Sequence, residues 1–199
     1  MADLATGVTE LSNNFSGRLL LPHDSEWDLA RRVHNGLVNK RPALVAQCRG
    51  SSDIALAVRL AREQGLEIAV RGGGHNVGGR STIDAGLLID LSLMKYVHVD
   101  PVTRTARAAC GTLWAQFNRE TQVHGLATTG GLVSSTGVAG LTLGGGLGWL
   151  MPKHGMSLDN LLGVEMVLAD GSVVRAAADE NPDLFWAVRG GGGNFGVCT

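Results

Sequence analysis

Glycine falls in clusters along this chain, at positions 72–74, 78–79, 130–131, 144–146 and 190–193, and no other feature limits its fold so sharply. The 29 glycines in 199 residues are about twice the usual share of roughly 7%. With no G-X-Y period and 5 prolines the chain is not collagen, and with 44% hydrophobic residues it is not a flexible linker. The clusters therefore sit inside a folded protein. Backbone without Cβ atoms can turn through positive φ or approach another group closely, so one backbone task repeated at several places is the simplest reading.

The remaining composition narrows the partners. Charged residues are 18% of the chain against about 25% in an average domain, so part of the surface is expected to meet something outside it. A net charge of −1 without any run of five or six like charges leaves no footprint for nucleic acid or an anionic membrane. No stretch is long and apolar enough for a membrane span, and residues 1–16 lack the basic start and apolar core of a secretory signal, so a cytoplasmic protein is expected. Cys48, Cys110 and Cys198 are odd in number and far apart, which argues against a disulfide scaffold or a metal site.

Apolar periodicity predicts a helix over 25–37, presenting Trp27, Ala30, Val33, His34 and Leu37 on one side. A strand at 43–46, a helix opened by Ser51, Ser52 and Asp53 and closed by Gly65, and a strand at 67–71 form a unit that favours parallel pairing with a crossover helix. Short strands are expected at 86–91, 96–99 and 105–109, and a helix at 112–123. A hairpin turns at Asp170-Gly171, and a helix at 181–188 is expected to point Phe185 and Trp186 inward. Trp149 also reads as core, His98 and His124 as structural, and Asp90 and Asp159 as residues that fix turns.

The strand at 67–71 runs into Arg71-Gly72-Gly73-Gly74-His75-Asn76-Val77-Gly78-Gly79. Successive amides of such a loop can converge on one anion, and a pyrophosphate suits that nest. The spacing matches neither G-x-G-x-x-G nor G-x-x-x-x-G-K-[ST], and no helix pattern follows Gly79, so the Rossmann and P-loop mechanisms do not apply. His75 is either a loop histidine satisfied by local hydrogen bonds or a group held at the edge of a cofactor ring. The block from Gly137 to Gly148 either lines a flat ring and phosphate oxygens or packs as a loop pair.

Several motifs in order carry a resemblance: the 71–75 loop, Asp90-Leu91-Ser92, the 137–148 block, and Trp186-Ala187-Val188-Arg189 leading into Gly190 to Gly193, Asn194, Phe195, Gly196 and Val197. Over residues 39–199 the chain resembles the FAD-binding domain of FAD-linked oxidases of the vanillyl-alcohol oxidase type, with the berberine-bridge-enzyme and oligosaccharide-oxidase branch most similar. That resemblance implies an α+β fold, a PCMH-type domain with two small mixed sheets flanked by helices, preceded by a lead segment at 1–38. It implies FAD as cofactor, a small-molecule substrate, and a substrate-binding domain in cis that this chain lacks.

By the same resemblance the cofactor-binding positions are Arg71, Gly72, Gly73, Gly74, His75, Asn76, Gly78, Gly79, Val133, Ser134, Thr136, Gly137, Gly140, Gly144, Gly145, Gly193, Asn194, Gly196 and Val197, with His75 linked to the flavin 8α carbon. Asn194 either hydrogen-bonds the flavin or shapes a turn. Val133 stands where many relatives place a second, cysteinyl link, so attachment through His75 alone is expected. His154 stands where relatives commonly carry an aromatic residue and is expected to pack. Tyr96 has no catalytic setting, and no catalytic base is assigned. Two other readings stay open: a noncovalent flavin reductase using NADPH, and a nucleotide-binding or interaction module without redox chemistry.

Overall fold

The computed structural model describes residues 4–199. Helix α1 (Leu4–Ser12) leads into strand β1 (Arg18–Leu20), the single turn α2 (Trp27–Ala30) and strand β2 (Leu44–Gln47). Helix α3 (Ser51–Gln64), strand β3 (Ile68–Arg71) and strand β4 (Leu87–Asp90) complete the first layer. Its four strands lie in the order β1-β2-β4-β3, with β4 parallel to both β2 and β3 and β1 antiparallel to β2. The strand-helix-strand unit is thus present, but β4 inserts between its two strands.

Helix α3 forms where its local signals place it. Its Ile54, Ala57, Val58 and Ala61 are buried against Leu44, Ala46, Leu87 and Ile89 of the sheet. The buried Asp53 carboxylate accepts the amides of Ser16 and Arg49, both at 2.9 Å, which ties the helix start to two incoming segments. At the other end Gly65 takes φ +65°, and Leu66 N donates to Ala61 O at 2.8 Å, closing the helix with a left-handed glycine.

The hairpin β5 (Val97–Asp100) and β6 (Thr105–Ala108) follows, then helix α4 (Trp114–Gln122), the short helices α5 (Val138–Leu143) and α6 (Met151–His154), and strands β7 (Gly163–Val167) and β8 (Val173–Ala177). Asp170 accepts from Ser172 N and Oγ, and Gly171 takes φ +82°, so the turn falls at the predicted dipeptide. Helix α7 (Pro182–Gly191) and strand β9 (Val197–Cys198) end the chain, and β9 pairs with β7 to give the order β8-β7-β9. The class is α+β as expected, with the strands spread over three sheets, of which the four-stranded one is mixed.

Three expectations fail for identifiable reasons. The helix expected over 25–37 is one turn, because Arg31 turns into Asn39 Oδ1 and Lys40 O, and His34 N is taken by Gly74 O at 3.1 Å. Tertiary bonds hold this segment open, and Leu37 is left 94% exposed. Trp186 is 74% exposed, since Phe185 and Val188 fill the buried face of α7 and the next residue round the helix points away. Trp149, 84% exposed on a glycine-flanked loop, is not core either.

Candidate cofactor site

Strand β3 delivers the first glycine loop, and an ion pair fixes its root. Arg71 reaches Asp90 at the end of the neighbouring β4 at 2.7 and 3.1 Å, and its remaining arm donates to Arg32 O at 2.6 Å. Asp90 is fully buried and also accepts from Gln47 and from Ser92 N and Oγ. Burial alone would raise its carboxyl, but the Arg71 guanidinium and these hydrogen bonds outweigh it and hold the group below the usual carboxylate range. The Arg71 side chain is therefore occupied inside the fold, and its contribution to the site is to anchor the loop.

Beyond Arg71 the amides of Gly73, Gly74 and His75 find no acceptor among the described residues. They belong to a loop clamped from outside by the 31–40 segment, through His34 N to Gly74 O, Asn35 Nδ2 to Val77 O at 3.2 Å and Lys40 Nζ to Gly79 O at 3.1 Å. Asn76 Oδ1 accepts Arg80 N at 3.0 Å and shapes the return. The open helix and the rigid loop are thus one structural fact.

The second wall comes from residues 133–144. Thr136 O and Ser134 O accept the first amides of α4, at Trp114 and Ala115, which fixes the loop against that helix. Gly137 then meets Gly73 backbone to backbone: a Cβ on Gly137 would stand 2.5 Å from Gly73 N, and one on Gly73 2.6 Å from Gly137 Cα. Only glycine at both positions lets the walls close. The third wall is the turn after α7, where Gly196 takes φ +152° with Val167 O only 2.6 Å from where a Cβ would be.

Between these walls lies a cavity of about 660 Å³. Of the expected positions, Gly72, Gly73, Gly74, His75, Asn76, Thr136, Gly137, Gly140, Gly144, Gly193, Asn194, Gly196 and Val197 line it, whereas Arg71, Gly78, Gly79, Val133, Ser134 and Gly145 do not. Gly145 and Gly146 instead pack against the 156–158 segment, where Ser157 N donates to Gly146 O and Leu158 N to Gly145 O. The 137–148 block is thus half cavity wall and half loop pair. Asn194 donates to Gly191 O at 2.7 Å and holds the turn.

Residues the sequence did not flag also line the cavity, among them Ser81, Cys110 and Cys198. The Ser81 hydroxyl is buried without a hydrogen-bond partner, as a group reserved for a ligand would be. The Cys110 thiol is pushed up by its hydrogen bond to Cys198 and by burial, so it acts as uncharged wall. Free amides, an orphan hydroxyl and facing glycines fit a dinucleotide diphosphate.

His75 projects from the loop, half-buried. Ser135 Oγ lies 3.1 Å from its Nε2 and Thr136 Oγ1 3.4 Å from its Nδ1, and the His34 ring stacks on it with centroids 4.0 Å apart and planes 12° from parallel. Burial and the His34 ring hold its pKa below the usual histidine value, against hydrogen bonding to Ser135. At neutral pH the ring is uncharged and one nitrogen keeps its lone pair. His154 is exposed on α6, outside this cavity, rather than packed.

Residues 42–177 match the family model described as FAD binding domain. The chain belongs to that family. It is 42% identical over 186 residues to (R)-6-hydroxynicotine oxidase of Paenarthrobacter nicotinovorans, covering 94% of this chain and 41% of the relative. Glucooligosaccharide oxidase of Sarocladium strictum is 40% identical, over 88% of this chain and 36% of its own. The solved structure of the Acremonium strictum glucooligosaccharide oxidase, described as carrying a 6-S-cysteinyl, 8α-N1-histidyl FAD, superposes with a TM-score of 0.91 at 33% identity, over 98% of this chain and 41% of that one. The chain therefore spans about two fifths of the length of these relatives. Among the described residues no helix is long and apolar enough to cross a membrane, and no group of three or more His, Cys, Asp or Glu is placed to hold a metal.

Proposed function

We propose that the chain is the cofactor-holding part of an FAD-dependent oxidase, with the flavin attached covalently and only through His75. The observation that carries this is the stacked imidazole of His75, its pKa held below the usual value, on a clamped loop whose neighbouring amides are unpaired beside a cavity of about 660 Å³. In the Acremonium strictum relative the flavin carries both a histidyl and a cysteinyl link. Val133 stands at the cysteinyl position here, and Cys48, Cys110 and Cys198 lie elsewhere, so a single link follows.

When bound, FAD would accept hydride from a substrate C–H and pass the electrons to dioxygen. The chain's own residues do the rest. The amides of Gly73, Gly74 and His75 with the Ser81 hydroxyl hold the diphosphate, Gly137 and Gly140 let a flat ring approach the backbone, and His75 prevents cofactor loss. A histidyl bond also withdraws electrons from the ring and makes it a stronger oxidant. The substrate is a small molecule bound largely by residues outside this chain.

A peptide map tests the assignment. After reconstitution with FAD, trypsin should release Gly72 to Arg80 carrying one flavin, and His75→Ala should release it bare. Recovery of the wild-type peptide unmodified, from protein that binds FAD, would contradict covalent attachment. Bleaching of the flavin by NADPH rather than slow, oxygen-linked turnover would identify a reductase instead.

A further inference from the structure

Among the described residues His34 is the one side chain stacked on His75, and it arrives from the segment whose helix ends after one turn. Its ring is parallel to within 12° at 4.0 Å, and its own amide is bound to Gly74 O, one residue before His75. The two contacts, main chain and ring, fix both the loop carrying His75 and the plane of its imidazole. We propose that His34 is a positioning residue for flavin attachment: it braces the His75 ring so that one nitrogen presents its lone pair to the flavin methyl.

A histidine side chain has two torsions, and an imidazole free to rotate about the second presents either nitrogen, or neither, along a given line. Ser135 and Thr136 touch the two edges of the ring, but a hydroxyl can donate or accept and so does not select an orientation. A face-on partner fixes the plane of the ring, because any rotation short of a half-turn would break the stack. A second imidazole adds a further constraint, since two stacked rings cannot both carry a proton without repulsion. Overall, attachment exchanges one methyl C–H and the imidazole N–H for a C–N bond while dioxygen is reduced to hydrogen peroxide, so the atoms and both electrons are accounted for. Protonated His75 could not make that bond.

This inference rests on His75 being the attachment point, and its test separates the two. Flavin-free wild type, His34→Ala and His34→Phe are mixed with FAD in air, and the fraction of bound flavin that survives acid precipitation is followed with time. The His75 ring resonances of the flavin-free proteins are titrated by NMR. Bracing predicts that His34→Ala attaches flavin at least tenfold more slowly, that His34→Phe recovers most of the rate because it keeps the stack, and that the His75 pKa rises in both variants. Attachment by His34→Ala at the wild-type rate would overturn the proposal. So would a His75 titration unchanged in all three proteins, and that result stands even if the variants bind flavin poorly. If wild type never attaches flavin, the anchor assignment falls. The titration then decides alone whether His34 sets the state of His75.

Discussion

Gly73→Ala tests the cavity wall at its tightest point. A Cβ at Gly73 would lie 2.6 Å from Gly137 Cα, when ordinary van der Waals contact begins near 3.4 Å. Gly137 N is closer still, so the two loops must separate by about 1 Å or more, and neither can yield freely. The 71–79 loop is clamped by the 31–40 segment, and the 133–137 loop is bonded to the start of α4. Overpacking of this kind costs about 1–3 kcal/mol. In a domain of this size that is a fall in Tm of roughly 2–12 °C. Because both displaced loops line the cofactor cavity, FAD affinity should fall further, by about tenfold or more, since a misplaced donor loses its charge-assisted hydrogen bond of about 1.5–3 kcal/mol. Gly36→Ala is the matched control: it stands outside the cavity, and a Cβ there meets nothing within 4 Å. Thermal unfolding and fluorescence titration with FAD measure both effects. Wild-type affinity and Tm in Gly73→Ala would refute the claim that the walls close through paired glycines.

Asp90→Ala should destabilise the fold by about 3–5 kcal/mol, because it leaves the Arg71 guanidinium buried and unpaired; denaturant unfolding measures it. The Asp90 carboxyl is held below its unfolded value of about 3.9, so its stabilisation is present above that pH and is lost as acid protonates the folded state. Unfolding followed from pH 6 down to 2 should therefore show a steeper loss in wild type than in Asp90→Asn. Phe185→Ala should cost about 3–5 kcal/mol and Trp186→Ala less than about 0.5, although the two are adjacent, because one is buried and the other exposed. Equal losses of Tm would show that the assigned face of α7 is wrong.

What was legible in the sequence was local. Helix α3 announces itself through Asp53 and Gly65, and the β7-β8 hairpin through Asp170-Gly171, because each depends on residues a few positions apart. The glycine loop and His75 were legible for the same reason. The 25–37 segment misled because its apolar spacing is genuine, while bonds to Lys40 O and Gly74 O, unseen in that spacing, decide its conformation. Gly137 and Gly145 look alike in sequence, yet one faces Gly73 and the other the 156–158 segment, and only the folded chain separates them. Ser81 went unflagged, and His34 was read only as part of a helix face, for a related reason. Each matters through what the fold sets beside it: a buried cavity wall for Ser81, and a second imidazole 41 positions away for His34.

Attachment of FAD through a single covalent bond to His75 is the proposal on which the others depend. Its most direct measurement is the intact mass and visible spectrum of the acid-precipitated, washed protein beside His75→Ala. Wild type should give a yellow pellet heavier by one FAD, and His75→Ala a colourless pellet at the bare polypeptide mass. A colourless wild-type pellet from protein that was yellow before precipitation would contradict it, as would a His75→Ala protein that keeps its flavin.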